Sequence, residues 1–480
     1  MADLERIGIP RNNMPELPEV ETVKRLLEPV VKNRTITSID VYRARQIDGD
    51  VSTFINTLKG ETFLSISRIG KYLIFHLTHD LVIISHLRME GKYFEYLESE
   101  PDSKYARVVF HFANGHKLCY DDSRTFGVLK LSNEQEYKSD KGIAKLGPEP
   151  WDADPQEIFN KCKKINTAVK TAILDQTLMT GLGNIYVDET LYASNVHPHT
   201  PTKLISLEEW ELIIKNASRI LKRAIELGGS TIKSYHPGKD IDGNFQTEIK
   251  IYGNKGATCP KCGKTFLFNK TNGRGTTYCP GCQHKRGEPL NIGLTGTIGS
   301  GKSTALKLFK EKGCLVISSD EVVLNLYKED KVINKINKMF NLSFKDEVDK
   351  KVLRDYLLTH PKDKKRLENL VHPLVKQEIV KTLASSKEKI RIVEVPLLFK
   401  AHYEDIFDSI IVIEASEEVS LCRLAKRNGS IAPLLKEINK DNMIEENKNK
   451  AEFLVSNDKD LDSLNEEISN IFNILKSRLN

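Results

Sequence analysis

The stretch Gly296-Thr-Ile-Gly-Ser-Gly-Lys-Ser303 fits G-x-x-x-x-G-K-[ST], and it begins only a few residues after the pair Cys279-x-x-Cys282 closes. A phosphate-binding loop follows the first strand of an α/β domain, so a new fold must start almost where a cysteine cluster ends. That strand is expected around Leu290–Leu294. A chain of 480 residues is too long for one core and suggests about two to four domains. Two complete chemistries are therefore joined with hardly any linker.

At 39% hydrophobic and 29% charged residues, the chain reads as globular. No apolar run approaches the roughly 20 residues of a membrane span. Met1–Asn13 carries Asp3 and Glu5 and has no apolar stretch, unlike a secretory signal. A cytoplasmic protein with no membrane partner is expected, and a monomer is the simplest state. Eight cysteines are too few and too uneven for a disulfide framework. Cys119, Cys162, Cys314 and Cys422 stand alone and read as small buried hydrophobes. The net charge is +6, but Ile249–Gly287 alone holds eight basic residues and no acid. Such a run is usually a solvated face; wrapped around a cysteine cluster, it points to a polyanion partner.

A first helix is expected over about Glu19–Val31, followed by short β-rich runs at Thr35–Tyr42, Glu61–Ile66, Tyr72–Leu77, Leu81–His86, Ala106–Phe112 and Val128–Leu131. Turn signals such as Asn114-Gly115 separate them, which predicts an antiparallel β-sandwich. After Gly147-Pro148 the pattern becomes helical, with apolar residues three and four apart in Ile185–Ala193 and Leu207–Leu227. From Ile292 strands alternate with helices, as in a parallel sheet. The expected domains are an extension at 1–13, a sandwich at 14–146, a helical domain at 147–245, a metal hairpin at 246–286 and a P-loop domain at 290–480.

Cys259-x-x-Cys262 and Cys279-x-x-Cys282 are sixteen residues apart, the spacing of a four-thiolate zinc site with a β-hairpin between the pairs. A redox pair is the weaker alternative, and no open coordination position is implied, so the zinc reads as structural. Arg274 falls on the hairpin, where it could reach a phosphate.

In Met14-Pro-Glu-Leu-Pro-Glu-Val-Glu21, Pro18, Glu19 and Glu21 suit a helix start, but Pro15-Glu16 has no such reason. If translation begins at Met14, its removal frees Pro15 as a secondary amine able to form a Schiff base, with Glu16 beside it to donate or relay a proton. This segment resembles the amino terminus of the formamidopyrimidine-DNA glycosylases, and the resemblance recurs in order over about Met14–Lys285. Ser67-Arg-Ile-Gly-Lys-Tyr72, His86-Leu-Arg-Met-Glu-Gly91, Asp122-Ser-Arg-Thr-Phe-Gly127, Gly181-Leu-Gly-Asn-Ile-Tyr186 and Gly228-Gly-Ser-Thr-Ile-Lys233 are similar to family segments. The resemblance implies a helix–two-turn–helix domain behind the sandwich and double-stranded DNA with oxidised bases as substrate. It implies Lys71 as the proton donor in β-elimination and Arg274 in δ-elimination. Met89, Arg124 and Phe126 would fill the gap left by the everted base. Asn184, Lys170 and Lys233 would contact DNA, as would Arg107, which stands where the family has a histidine. Asn166 replaces a residue that is usually basic. With Met1–Asn13 attached, Pro15 has an amide nitrogen and the lyase would be blocked.

In the second half, Gly299, Ser300, Gly301, Lys302, Ser303 and Thr304 would cradle ATP with Mg²⁺, and Asp320 follows a second strand-like run, Cys314–Ser319. Together with Leu370-Val-His-Pro-Leu-Val375, Val393-Glu-Val-Pro-Leu-Leu-Phe399, Arg423 and Arg427, these residues resemble dephospho-CoA kinase over about Leu290–Asn480. That resemblance implies ATP-dependent phosphorylation of the ribose 3′-hydroxyl of dephospho-CoA. Asp320 would serve catalysis by orienting the acceptor hydroxyl or the metal, and the resemblance makes Arg427 a lid residue on ATP. The family's Asp-Ala-Asp is Ser318-Ser319-Asp320 here, and Leu324 replaces an expected arginine. The leading expectation is a bifunctional enzyme. Its rivals are a lyase-dead DNA-binding zinc protein fused to an active kinase, and a P-loop ATPase clamped to DNA.

Overall fold

The computed structural model describes residues 14–230, 235–236, 244–428 and 443–479. The extension 1–13 and Lys233 lie outside the described residues, as does the side chain of Arg427. The chain divides into two compact units, and the division is not a single point. Residues up to Asn254 form the first unit together with Thr271–Thr277; Lys255–Lys270 and Tyr278–Asn480 form the second.

The first unit opens with helix α1, Leu17–Val31. Then come β1 (Ile36–Val41), α2 (Val51–Leu58), β2 (Phe63–Ile69), β3 (Tyr72–Leu77), β4 (Leu81–His86), β5 (Lys92–Leu97), β6 (Ala106–Phe112), β7 (His116–Asp121) and β8 (Val128–Asn133). One sheet runs β2-β3-β4-β8; the other runs β1-β6-β7-β5 and ends on a short strand, β9, at Tyr235–His236. Pairing among β1 to β8 is antiparallel, as the sequence predicts, and only β9 joins in parallel. Phe54, Phe63, Phe75, Phe110 and Tyr120 fill the space between the sheets.

Behind the sandwich lie α3 (Pro155–Cys162), α4 (Val169–Leu174), α5 (Asn184–Ala193) and α6 (Leu207–Glu226). Ser206 caps α6 by accepting from the Glu209 amide, while Glu209 reaches back to the Ser206 amide. Helix α1 serves both cores. Val20, Val23 and Leu27 pack into the sandwich, and Leu17 packs with Ile185, Tyr186 and Trp210 of the helical part. The start of α1 is thereby fixed at the seam between sandwich and helices.

Strands β10 (Leu267–Thr271) and β11 (Arg274–Tyr278) form the cysteine-bearing hairpin. Its tip groups with the first unit and its base with the second. The rest of the second unit is an α/β fold. Strand β12 (Leu290–Gly296) leads to α7 (Lys302–Glu311), β13 (Leu315–Ser318), α8 (Ser319–Leu326), α9 (Asp330–Phe340), α10 (Lys350–Thr359), α11 (Pro361–Ser385), β14 (Ile390–Glu394), β15 (Ser409–Glu414), α12 (Glu417–Asn428) and β16 (Phe453–Ser456). The five strands are parallel in the order β13-β14-β12-β15-β16. The phosphate loop therefore leaves from the central strand, at the end where α/β sheets bind ligands.

Candidate active sites

Pro15 and Glu16 lie buried immediately before α1, with Glu16 only 3% exposed. The Glu16 carboxylate accepts from the Gly183 amide at 2.5 Å and the Ile185 amide at 3.0 Å. A Cβ on residue 183 would come within 2.4 Å of the Glu16 carboxyl carbon, so this close approach requires glycine. Glu19 accepts from the Glu16 amide, Tyr186 Oη and Ser230. Lys71, which follows the β2–β3 turn residue Gly70, donates its Nζ to Leu182 O at 2.8 Å. Burial pushes the Glu16 carboxyl up to about 7, outweighing Lys71 and the two amides; nearby Glu19 adds to the rise. Burial lowers the Lys71 amine; Glu16 and Glu19 oppose this, and Arg274 adds to it. An acid that still holds its proton near neutrality and an amine of reduced basicity suit proton transfer.

Arg124 brings Met89 and Phe126 together, reaching both. Asp122 is fully buried and accepts four backbone N–H groups, from Arg124, Thr125, Phe126 and Gly127, at 2.7–2.9 Å. Thr125 adopts φ +55° within this turn. The result projects an exposed Phe126, with the Arg124 guanidinium 5.0 Å from its ring centre and 3.7 Å from Met89 Sδ. Arg107 is half-buried and donates to the carbonyls of Asp122 and Ala106, so it buttresses this turn from behind.

Lys170 corrects an expectation. It faces no DNA, because it is completely enclosed, and its Nζ is held by Asp188 at 2.7 Å and Gly275 O at 2.8 Å. Asn184 donates to the same Gly275 carbonyl at 3.1 Å. Both residues fix the hairpin tip beside Arg274, which stays exposed. The signal that identifies Lys170 as a structural residue is its partner Asp188 on α5.

The four cysteine sulfurs lie within 4.8 Å of one another. Cys259 and Cys282 are 3.8 Å apart, and Cys262 and Cys279 are 3.4 Å apart. Tetrahedral Zn–S bonds of about 2.3 Å place sulfurs about 3.8 Å apart, so the residues fit a structural zinc ion.

In the second unit the phosphate loop borders an open cavity of about 690 Å³. Gly299 and Gly301 take φ +78° and +96°, and the Asn457 amide packs where a Cβ on residue 301 would sit. Lys302 Nζ folds onto the carbonyls of Gly296 and Thr297 at 3.0 and 2.8 Å. Ser303, Thr304, Asp320 and His372 also line the cavity. Glu394 at the end of β14 is the residue that sequence reasoning passed over. Burial raises its carboxyl, Lys302 and hydrogen bonds from Ser318 and Ser303 oppose the rise, and Asp320 adds to it. Glu394 thus places a second carboxyl group near Asp320, beside Ser318 and Ser303. Arg423 lines the same cavity with its Nη1 buried and unpartnered by protein, a donor ready for an anion.

Comparison with known proteins agrees in both halves. The model of the formamidopyrimidine-DNA glycosylase N-terminal domain matches residues 14–129, and that of the same enzyme's H2TH domain matches 146–236. The dephospho-CoA kinase model matches 290–463. The formamidopyrimidine-DNA glycosylase of Mycoplasma mobile is 40% identical over 272 residues, which is 56% of this chain and 99% of that protein. The Mycoplasma pneumoniae enzyme is 42% identical over 277 residues, 57% of this chain and 100% of its own. A crystal structure of a Lactococcus lactis Fpg with DNA containing an abasic site superposes with a TM-score of 0.53 at 39% identity. It covers 56% of this chain and 100% of that one. Among the described residues, no helix is long and apolar enough to cross a membrane.

Proposed function

We propose, since the chain belongs to the formamidopyrimidine-DNA glycosylase family and carries a dephospho-CoA kinase domain behind it, that one polypeptide performs both reactions. The first unit excises oxidised purines from double-stranded DNA and cleaves the abasic strand. The second transfers phosphate from ATP to the 3′-hydroxyl of dephospho-CoA. The working protein is a cytoplasmic monomer whose mature chain begins at Pro15. The family match starting at residue 14 supports that start.

The observation that carries the first activity is the burial of Glu16 and Lys71 against one turn, beside Pro15. The Pro15 amine attacks the sugar C1′, the glycosidic bond breaks, and the base leaves with a proton relayed through Glu16. Lys71 protonates O4′ as the sugar ring opens to an iminium ion, the neutral Lys71 amine then takes the C2′ proton, and the released electron pair expels the 3′ phosphate by β-elimination. Arg274 stands at the tip for the second elimination. Phe126, Arg124 and Met89 occupy the gap in the duplex left by the everted nucleotide, and the apolar wedge offsets part of the unstacking cost.

In the second unit Lys302 and the loop amides bind the β- and γ-phosphates, and Arg423 neutralises charge on the transferred group. Ser303, Asp320 and Glu394 would hold Mg²⁺, which supplies charge screening between the phosphates. Asp320 orients the ribose hydroxyl.

Borohydride trapping on 8-oxoguanine DNA, combined with mass determination of the N-terminus, tests the lyase. A chain that starts at Pro15 yet forms no covalent adduct overturns it. ATP consumption that depends on dephospho-CoA and ignores DNA is expected for the second unit; the reverse dependence would favour a DNA-clamped ATPase.

A further inference from the structure

The cysteine cluster is built into the second unit through residues adjacent to its ligands. Tyr278, next to Cys279, is fully buried and donates its hydroxyl to Phe407 O at 3.2 Å. Lys264, two residues after Cys262, donates to Ala451 O at 2.7 Å, and the neighbouring Thr265 amide reaches Asn449 O at 3.3 Å. His284, two residues after Cys282, meets Glu452 at 3.1 Å, and Lys285 pairs with Asp408 at 2.7 Å.

The receiving residues cluster as well. Phe407 and Asp408 immediately precede β15, while Ala451 and Glu452 immediately precede β16. Phe407 and Ala451 are 1% and 0% exposed and belong to the main core of this unit. Asp408 also accepts from the Asn291 amide in β12, and Arg478 shares Glu452. The cluster therefore supports the N-terminal ends of three parallel strands, at the opposite end of the sheet from the phosphate loop.

We propose that the four-cysteine metal centre is a structural site of the kinase unit, and that its metal holds the starts of β15 and β16 in place. Each docking side chain lies within three residues of a ligand. Without the ion, the two Cys-x-x-Cys turns lose the cross-link through the metal, and the spacing between Tyr278, Lys264 and His284 is released. Binding energy in such sites is folding energy, here delivered to a sheet distant in sequence from the cysteines.

The test uses the full chain, whose zinc content is first measured, and then compares hydrogen exchange with and without a chelator. Metal removal should speed exchange at 407–414 and 451–456 by at least about tenfold, while β3 and β4 of the sandwich keep their protection. Unchanged exchange at 407–414 and 451–456 after verified zinc loss overturns the proposal. A protein that never contains zinc overturns the metal reading itself. A second arm avoids the cysteines: Lys285→Ala combined with His284→Ala should retain the zinc yet speed exchange in those same two segments. If that variant leaves both segments protected, the docking contacts do not transmit the effect and the proposal fails.

Discussion

Lys71 and Glu16 bind the two ends of one peptide unit: Lys71 donates to the carbonyl of Leu182, and Glu16 accepts from the amide of Gly183. One rigid amide therefore sets the separation of the amine and the acid. Replacing Lys71 with alanine should slow strand cleavage by about 10²–10⁴-fold. Single-turnover assays on abasic DNA check this, and a loss below tenfold would remove Lys71 from the chemistry.

Excision should also depend on pH through Glu16. Its carboxyl is raised to about 7, chiefly by burial, so the proton is held below that pH and lost above it. Base release by the proton-bearing form should accordingly fall as pH rises through about 7, and Glu16→Gln should abolish this limb. A single-turnover rate that is flat or rising through neutrality would contradict the donor role.

Asp122 accepts four amides and holds the turn that displays Phe126. Asp122→Ala leaves those donors without their acceptor, at about 1–3 kcal/mol for each that stays buried, and should disorder the turn. Phe126→Ala should weaken lesion-DNA binding while leaving the melting temperature unchanged. Asp122→Ala should lower both. Fluorescence anisotropy beside thermal unfolding separates the two effects.

Lys170 and Asp188 form an ion pair with almost no exposure. Lys170→Met leaves Asp188 buried and unpaired and should destabilise the first unit by about 3–5 kcal/mol. Adding Asp188→Leu should restore much of that loss. Both tryptophans of the chain, Trp151 and Trp210, lie in this unit, so their fluorescence in urea reports it selectively.

In the second unit, Lys302→Ala should cut dephospho-CoA phosphorylation by about 10²–10⁴-fold and leave excision untouched. Glu394→Gln should raise the Mg²⁺ concentration needed for half-maximal rate, because one of two acids near Ser303 loses its charge. Magnesium titrations at saturating ATP decide whether Glu394 serves the metal.

Much of this was legible in the sequence, and the exceptions have physical causes. Strands at Tyr72–Leu77, Leu81–His86 and Ala106–Phe112 fall where β-rich runs bounded by turn residues place them. Strand β7 escaped because His116-Lys-Leu-Cys-Tyr-Asp121 holds no β-branched residue and is half polar in composition, although five of its residues are buried. Helix α2 escaped because Val51, Thr53 and Ile55 favour strands, while the cap from Asp50 to the Thr53 amide selects helix. Glu394 was hidden in an unbroken buried run that reads as core. Lys170 was carried over as a DNA contact with the resemblance, and its enclosure by Asp188, eighteen positions away, shows only in the fold.

The boundary between the two units crosses the chain at 254/255, 270/271 and 277/278. No single break therefore yields both units whole. A cut after Gly287 separates the parallel sheet from its cysteine support, and a cut after Asn254 takes Thr271–Thr277 from the first unit. A substitution within Thr271–Thr277 should therefore register in the stability of the first unit, and one within Lys255–Lys270 in that of the second.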